Sequence, residues 1–250
     1  MISLKAIPKP TELTNKVVQE LTARYKKEGS AVWRKKYIID ALLKRSANKC
    51  CYCECKIMEE GKYIEVEHFH PKSLYPDEVV AWKNLLPSCK RCNGKKGDHD
   101  TKKEPIIHPV RDNPKSHLTW KNYRLYSKTK LGDDTIGVIY LNDRNRLVRK
   151  RFDIGDKLME ALEGLLQSTI GYDDRTNFST RSRNKIVGQL TNLMREGTRQ
   201  SEFSATAATI ILHEESYSNI KQLFLKNNLW NDEFIELEKA VEFCALDISQ

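Results

Sequence analysis

NKCCYCECKIMEEGKYIEVEHFHPKSLYPDEVVAWKNLLPSCKRCNGKKGDH, residues 48–99, is the stretch on which the rest of the 250-residue chain is organised. It holds two C-x-x-C pairs, Cys50 with Cys53 and Cys89 with Cys92, and six of the seven cysteines; Cys244 alone lies elsewhere. Two such knuckles close a tetrahedral shell of four thiolates around Zn2+. Cys51 and Cys55 are rival ligands, and the paired two-residue spacing favours Cys50 and Cys53. A disulfide framework is the weaker reading, since no signal-like segment opens the chain.

Between the knuckles, Tyr63 to Phe69 is rich in β-branched and aromatic residues and stops at Pro71, which predicts a short strand ending at Glu67 and His68. Asn84-Leu85-Leu86 supplies a second strand. Ser88 is placed to cap a short helix that carries Cys89, Cys92, Asn93 and Lys96. The expected unit is β-β-α, with polar side chains converging from a strand end and a helix.

These residues, C-x-x-C, Glu-His-Phe-x-Pro-Lys, Trp-x-Asn-Leu and C-x-x-C-Asn-x-x-Lys-Gly, resemble the HNH endonuclease family, whose fold is the ββα-metal motif. The resemblance implies that His68 is the general base, that Glu67 and Asn93 hold one divalent metal, that Asn84 braces the loop aiming His68, and that Lys96 lies near the scissile phosphate. His70 is left between contacting phosphate, assisting the metal and capping the loop. Many family members carry Asp where this chain has Glu67, and His where it has Asn93. Both replacements keep oxygen donors, which suit Mg2+ or Mn2+.

The chemistry of hydrolysis asks for the same parts: a base for water, a Lewis acid on the phosphate oxygens, and positive charge for the transition state. Histidine alone has an unperturbed pKa close to neutrality. The competing reading of the same residues is a zinc module that binds nucleic acid or protein without chemistry, and a second alternative is a free-standing nuclease of restriction or homing type.

Charge is unevenly placed. Residues 1–152 carry 33 Lys and Arg against 18 Asp and Glu, or +15; residues 153–250 carry 10 against 16, or −6, which together give the chain's +9. The basic part contains the candidate site and fits a polyanionic partner, DNA ahead of RNA; the acidic part fits protein contacts. No apolar run approaches a membrane span, so a cytoplasmic location is expected.

Outside the central stretch, residues 11–28 read as an amphipathic helix with Leu13, Val17, Leu21 and Tyr25 on one face, stopped by Gly29. Ser30 is placed to cap a second helix, and Arg24, Lys26, Lys27, Arg34, Lys35, Lys36, Lys44 and Arg45 are expected on the exposed sides. After a proline-punctuated connection, Trp120–Tyr126 and Thr135–Tyr140 look like two strands turned at Gly132-Asp133-Asp134. His108 and His117 read as structural. From Asp143 the chain is mostly helical, with a link near 171–182 and a final helix capped by Asn231 whose face is Phe234, Leu237, Val241 and Cys244.

The fold class expected is therefore α+β, divided into a helical lead (1–47), an HNH core (48–126) and a hairpin with helical remainder (127–250) for partner docking. This order of parts resembles the HNH nuclease subunits, the PtuB family, of Septu-type and retron-associated anti-phage systems. That resemblance implies an ABC-type ATPase partner, PtuA. The chain has no G-x-x-x-x-G-K-[ST] loop of its own, so ATPase control implies another subunit.

Overall fold

A computed structural model describes residues 1–58 and 63–249. The chain divides into two compact units, Met1–Leu118 with Leu125–Asn142, and Thr119–Arg124 with Asp143–Gln250. Both α-helices and two small two-stranded sheets are present, an α+β composition.

The first unit opens with α1 (Asn15–Glu28), capped by Thr14, whose hydroxyl accepts from the Val17 amide at 3.2 Å. Gly29 ends it with φ +66°, a left-handed conformation that favours glycine. Helix α2 (Lys36–Ser46) starts later than Ser30 would set it, after Lys35 and without a side-chain cap. Ser30 instead hydrogen-bonds Glu28, and residues 30–34 turn so that Val32 enters the core. Burial of Val32 outweighs the cap, which is worth only about 1 kcal/mol.

Strands β1 (Ile64–His68) and β2 (Leu85–Cys89) pair antiparallel, with Val66 opposite Pro87, Glu67 opposite Leu86 and His68 opposite Leu85. Helix α3 (Lys90–Lys96) follows β2 directly, and its cap is Cys89, one residue beyond the Ser88 expected. Leu13, Leu21, Ile38, Leu42, Val66, Val79, Val80 and Leu85 form the core that joins α1 and α2 to this small sheet.

Two strand expectations are overturned. The Trp120–Tyr126 segment is a complete hairpin, β3 (Leu118–Lys121) and β4 (Arg124–Ser127), because Asn122 and Tyr123 take φ +48° and +62° and reverse the chain. The Thr135–Tyr140 segment belongs to a helix, α4 (Lys130–Ile139). Thr129 caps it, Lys130 pairs with Asp134 one turn on, and buried Gly132, Thr135 and Ile139 mark a helical face. Gly132 turns no strand: a Cβ there would lie 2.1 Å from the His117 carbonyl oxygen.

The second unit contains five helices among the described residues: α5 (Arg149–Asp173), α6 (Thr180–Glu196), α7 (Ser204–His213), α8 (Glu215–Lys226) and α9 (Asp232–Cys244). Small side chains let α7 bury every residue from Ser204 to Ile211, packed by α5, α6, α8 and α9. Asn231 caps α9, and Cys244 is a core thiol. The basic run 144–151 enters α5 through a π turn, with Asp143 accepting from the Asn145 and Arg146 amides. No helix among the described residues is long and apolar enough to cross a membrane.

Candidate metal centre and active-site cleft

The first knuckle is a tight turn in which Glu54 donates its amide to the Cys50 carbonyl and Cys50 donates to the Cys55 carbonyl. The Cys51 amide hooks it to Pro87 O of β2 at 2.9 Å. The second knuckle straddles the junction of β2 and α3. Their meeting brings the sulfurs of Cys50, Cys53, Cys89 and Cys92 within 4.8 Å of one another, and Cys53 Sγ lies 3.8 Å from Cys89 Sγ. A tetrahedral zinc with Zn–S bonds of ~2.3 Å spaces its sulfurs about 3.8 Å apart, so the cluster fits that ion. Cys51 and Cys55 are outside the four.

The thiols are electrostatically uneven. Burial opposes ionisation of Cys50, but hydrogen bonds from Cys51, Cys53, Cys55 and Cys89 take it well below the usual thiol range. Against a raising contact with Cys50, hydrogen bonds from Cys53, Cys55 and Cys92 draw Cys89 down to about 4. Cys53 and Cys92 go the other way, held well above that range chiefly by their hydrogen bonds with Cys50. Ionisation is thus divided within the quartet, and metal ligation takes the thiolate form.

Beside this cluster, β1 and α3 wall a cleft of about 80 Å³ with Glu67, His68 and Asn93 on its lining, together with Arg34, Lys72 and Asp98. His68 Nε2 lies 2.9 Å from the Val79 carbonyl oxygen. That oxygen only accepts, so the proton sits on Nε2 and the Nδ1 lone pair is left as the base. Trp33 stands edge-on to the imidazole, with ring centroids 4.7 Å apart. Burial, aided by Lys72 and Lys96 and opposed by the Val79 bond, pulls the His68 pKa down to about 4. The ring is neutral at physiological pH.

Glu67 is 1 % exposed, and burial pushes its carboxyl up to about 7 despite Lys96. Lys96 Nζ lies 2.7 Å from Glu67 Oε1, an ion pair not aligned as a hydrogen bond, and donates to the His68 carbonyl at 2.9 Å. The sequence reading set Lys96 beside a phosphate. The structure sets it in the interior as the counter-ion of Glu67, and the cleft's accessible cations are exposed Arg34 and half-buried Lys72. The sequence reading gave Lys72 no role, although its place in the Glu-His-Phe-His-Pro-Lys run was the available signal.

Asn84 is buried and holds the loop after β1 from both sides. Its Oδ1 accepts from the His70 amide at 2.7 Å, and its Nδ2 donates to His70 O at 3.0 Å and Glu78 O at 3.2 Å. Thr101 Oγ1 donates to Phe69 O, and therefore accepts from His70 Nδ1 at 2.8 Å. His70 does not line the cleft. His108 accepts the Val110 and Arg111 amides, and His117 hydrogen-bonds the α4 cap Thr129; both organise loops.

No family model matches the chain. A Septu protein PtuB of Bacillus thuringiensis is 45 % identical over 242 residues, spanning 97 % of this chain and 94 % of the relative. The chain belongs to the Septu PtuB family. A second PtuB, from Bacillus mycoides (strain KBAB4), is 32 % identical over 162 residues, 50 % of this chain and 54 % of its own length. The near-complete overlap with the first PtuB spans both knuckles and the cleft residues as well as most of the helical second unit.

Proposed function

We propose that this PtuB-family chain is a metal-dependent endonuclease of HNH type, built on a zinc-stabilised ββα-metal core, and that it acts in Septu anti-phage defence beside an ABC-type ATPase. The observation that carries the chemistry is the His68 tautomer: with Nε2 committed to Val79 O, Nδ1 is a neutral base next to an acidic group and an amide in one polar cleft. A binding module has no use for a buried, uncharged imidazole so placed.

Glu67 and Asn93 present oxygen donors on that cleft and would hold a Mg2+ or Mn2+ ion; their hardness fits these ions. When bound, the ion supplies Lewis-acid polarisation of a phosphodiester oxygen and stabilises the leaving alkoxide. His68 Nδ1 takes the proton from the attacking water. Trp33 and the Val79 carbonyl fix the ring's plane, Asn84 fixes the loop behind it, and Lys96 fixes the Glu67 carboxylate. Arg34 and Lys72 contribute positive charge to hold a phosphodiester strand.

Cleavage of plasmid DNA and of total RNA by wild type and His68→Ala, with Mg2+ or Mn2+ and with or without the ATPase, tests this reading. Wild type is expected to cut DNA, and the variant to lose about 10²–10⁴-fold in rate with its zinc content unchanged. Dependence on the ATPase is the expected sign of a complex. A His68→Ala protein that cuts at the wild-type rate overturns the assignment.

A further inference from the structure

A larger cavity in the first unit is not used by this chemistry. It has a volume of about 600 Å³, within the ~300–1,000 Å³ typical of small-molecule sites. Its walls are mainly apolar, from Ile7, Pro8, Ala81, Trp82 and Val110, and every charged residue on them is a cation: Lys9, Arg45, Lys83 and Arg111. Arg45 is 3 % exposed, with its guanidinium 4.2 Å over the Trp82 ring and bonded to Leu85 O at 3.0 Å. Trp82 is fixed in turn by its indole N–H to Ile7 O at 3.0 Å. Lys9, Lys83 and Arg111 are exposed, and among the described residues none has a carboxylate partner; Lys9 bonds the Asn15 amide oxygen.

We propose that this cavity binds a nucleotide, with its base against Trp82 and the apolar wall and its phosphates held by Lys83, Arg111 and Lys9. A bare inorganic anion has no use for the apolar wall. A single carboxylate on an apolar tail leaves most of the cations unmatched. A planar base with several phosphate charges satisfies both, and the indole backed by a guanidinium is a stacking surface for it. The grip is made by side chains and needs no phosphate-binding glycine loop. The occupant is a free nucleotide or one nucleotide of a strand. In either case it touches the turn that carries Asn84, because Trp82 and Lys83 precede that residue.

Calorimetric titration of the full-length protein with AMP, ATP, inorganic phosphate and a single-stranded DNA 12-mer tests the site, with histidine ring resonances to locate binding. AMP and ATP are expected to saturate, ATP the more tightly, and to shift His108, which lines the cavity, without shifting His213. The double variant Lys83→Glu/Arg111→Glu is expected to weaken ATP at least tenfold, and Val110→Trp, which fills the cavity from a half-buried position, to weaken AMP by at least as much. Displacement of ATP by the 12-mer makes a strand a source of the nucleotide, and failure to displace makes the free nucleotide the ligand; both uphold the site. The proposal is overturned if neither nucleotide nor 12-mer saturates at millimolar concentration, if phosphate displaces AMP as well as ATP does, or if Val110→Trp binds like wild type.

Discussion

The two units solve the problem of a stable core in different ways. In the first, two five-residue strands and a seven-residue helix carry the candidate site, and four cysteines converge beside them with the spacing of a metal site. The second has helices of 10 to 25 residues, with α7 buried from Ser204 to Ile211 among the others. Around Glu67, Asn84 and Lys96 buried polar groups lie against an apolar core that includes Val66, Val79 and Leu85, and the thiol quartet beside them has the spacing that fits a crosslinking zinc.

That contrast is breakable by experiment. The largest effect is expected from Cys89→Ala, which removes a thiol shared by the knuckle and the α3 cap. Zinc content should fall to nothing and residues of the first unit should become susceptible to protease, while most helical circular dichroism, from the second unit, remains. Phe234→Ala reverses the pattern. It empties the edge-to-face contact with Phe224, 5.5 Å between centroids, and should cost the second unit about 3–5 kcal/mol in denaturant unfolding with full zinc retention.

A smaller effect, confined to the site, is expected from Asn84→Ala. It strips three hydrogen bonds from the His70 loop and should cost about 2–3 kcal/mol, with a fall in cleavage larger than the loss of folded protein explains. The last is a pH effect, confined to acid solution. His108 is held neutral, its pKa lowered from 6.5 to about 4 chiefly by burial. Its stability contribution is therefore intact above pH 6.5 and is lost as pH falls from 6.5 towards 4, where the unfolded chain binds the proton first. His68 acts in the same sense, whereas Glu67, raised to about 7, favours the native state at low pH and loses that contribution between 4.5 and 7. His108→Gln should flatten the acid side of the stability profile measured by urea titration between pH 4 and 7.

The sequence made legible what depends on spacing. The β1 boundary, the thiol quartet, the αL stop at Gly29 and the Asn231 cap are local and are present where expected. What failed depends on partners distant in the chain. The β-branched run at Thr135–Ile139 suggested a strand, but Thr135 receives the Ile107 amide and donates to Leu131 O, and the His117 carbonyl demands glycine at 132. Lys96 reads from the sequence as a phosphate contact because nothing local shows that Glu67 will be buried beside it. The cavity beside Trp82 was invisible for the same reason, since its walls come from residues 6–9, 45, 81–83 and 108–111.

The ladder between β1 and β2 has a consequence for how this family's sequences vary. Glu67 turns to Lys96, and its neighbour His68 to Val79 O and Trp33. Side chains alternate along a strand, so a slip of one residue would set the carboxylate against a carbonyl oxygen and the imidazole against an ammonium. One codon gained or lost inside 64–68 or 85–89 undoes both contacts at once, whereas a substitution undoes one. Related chains are therefore expected to tolerate changes of residue along these strands far more readily than changes of length.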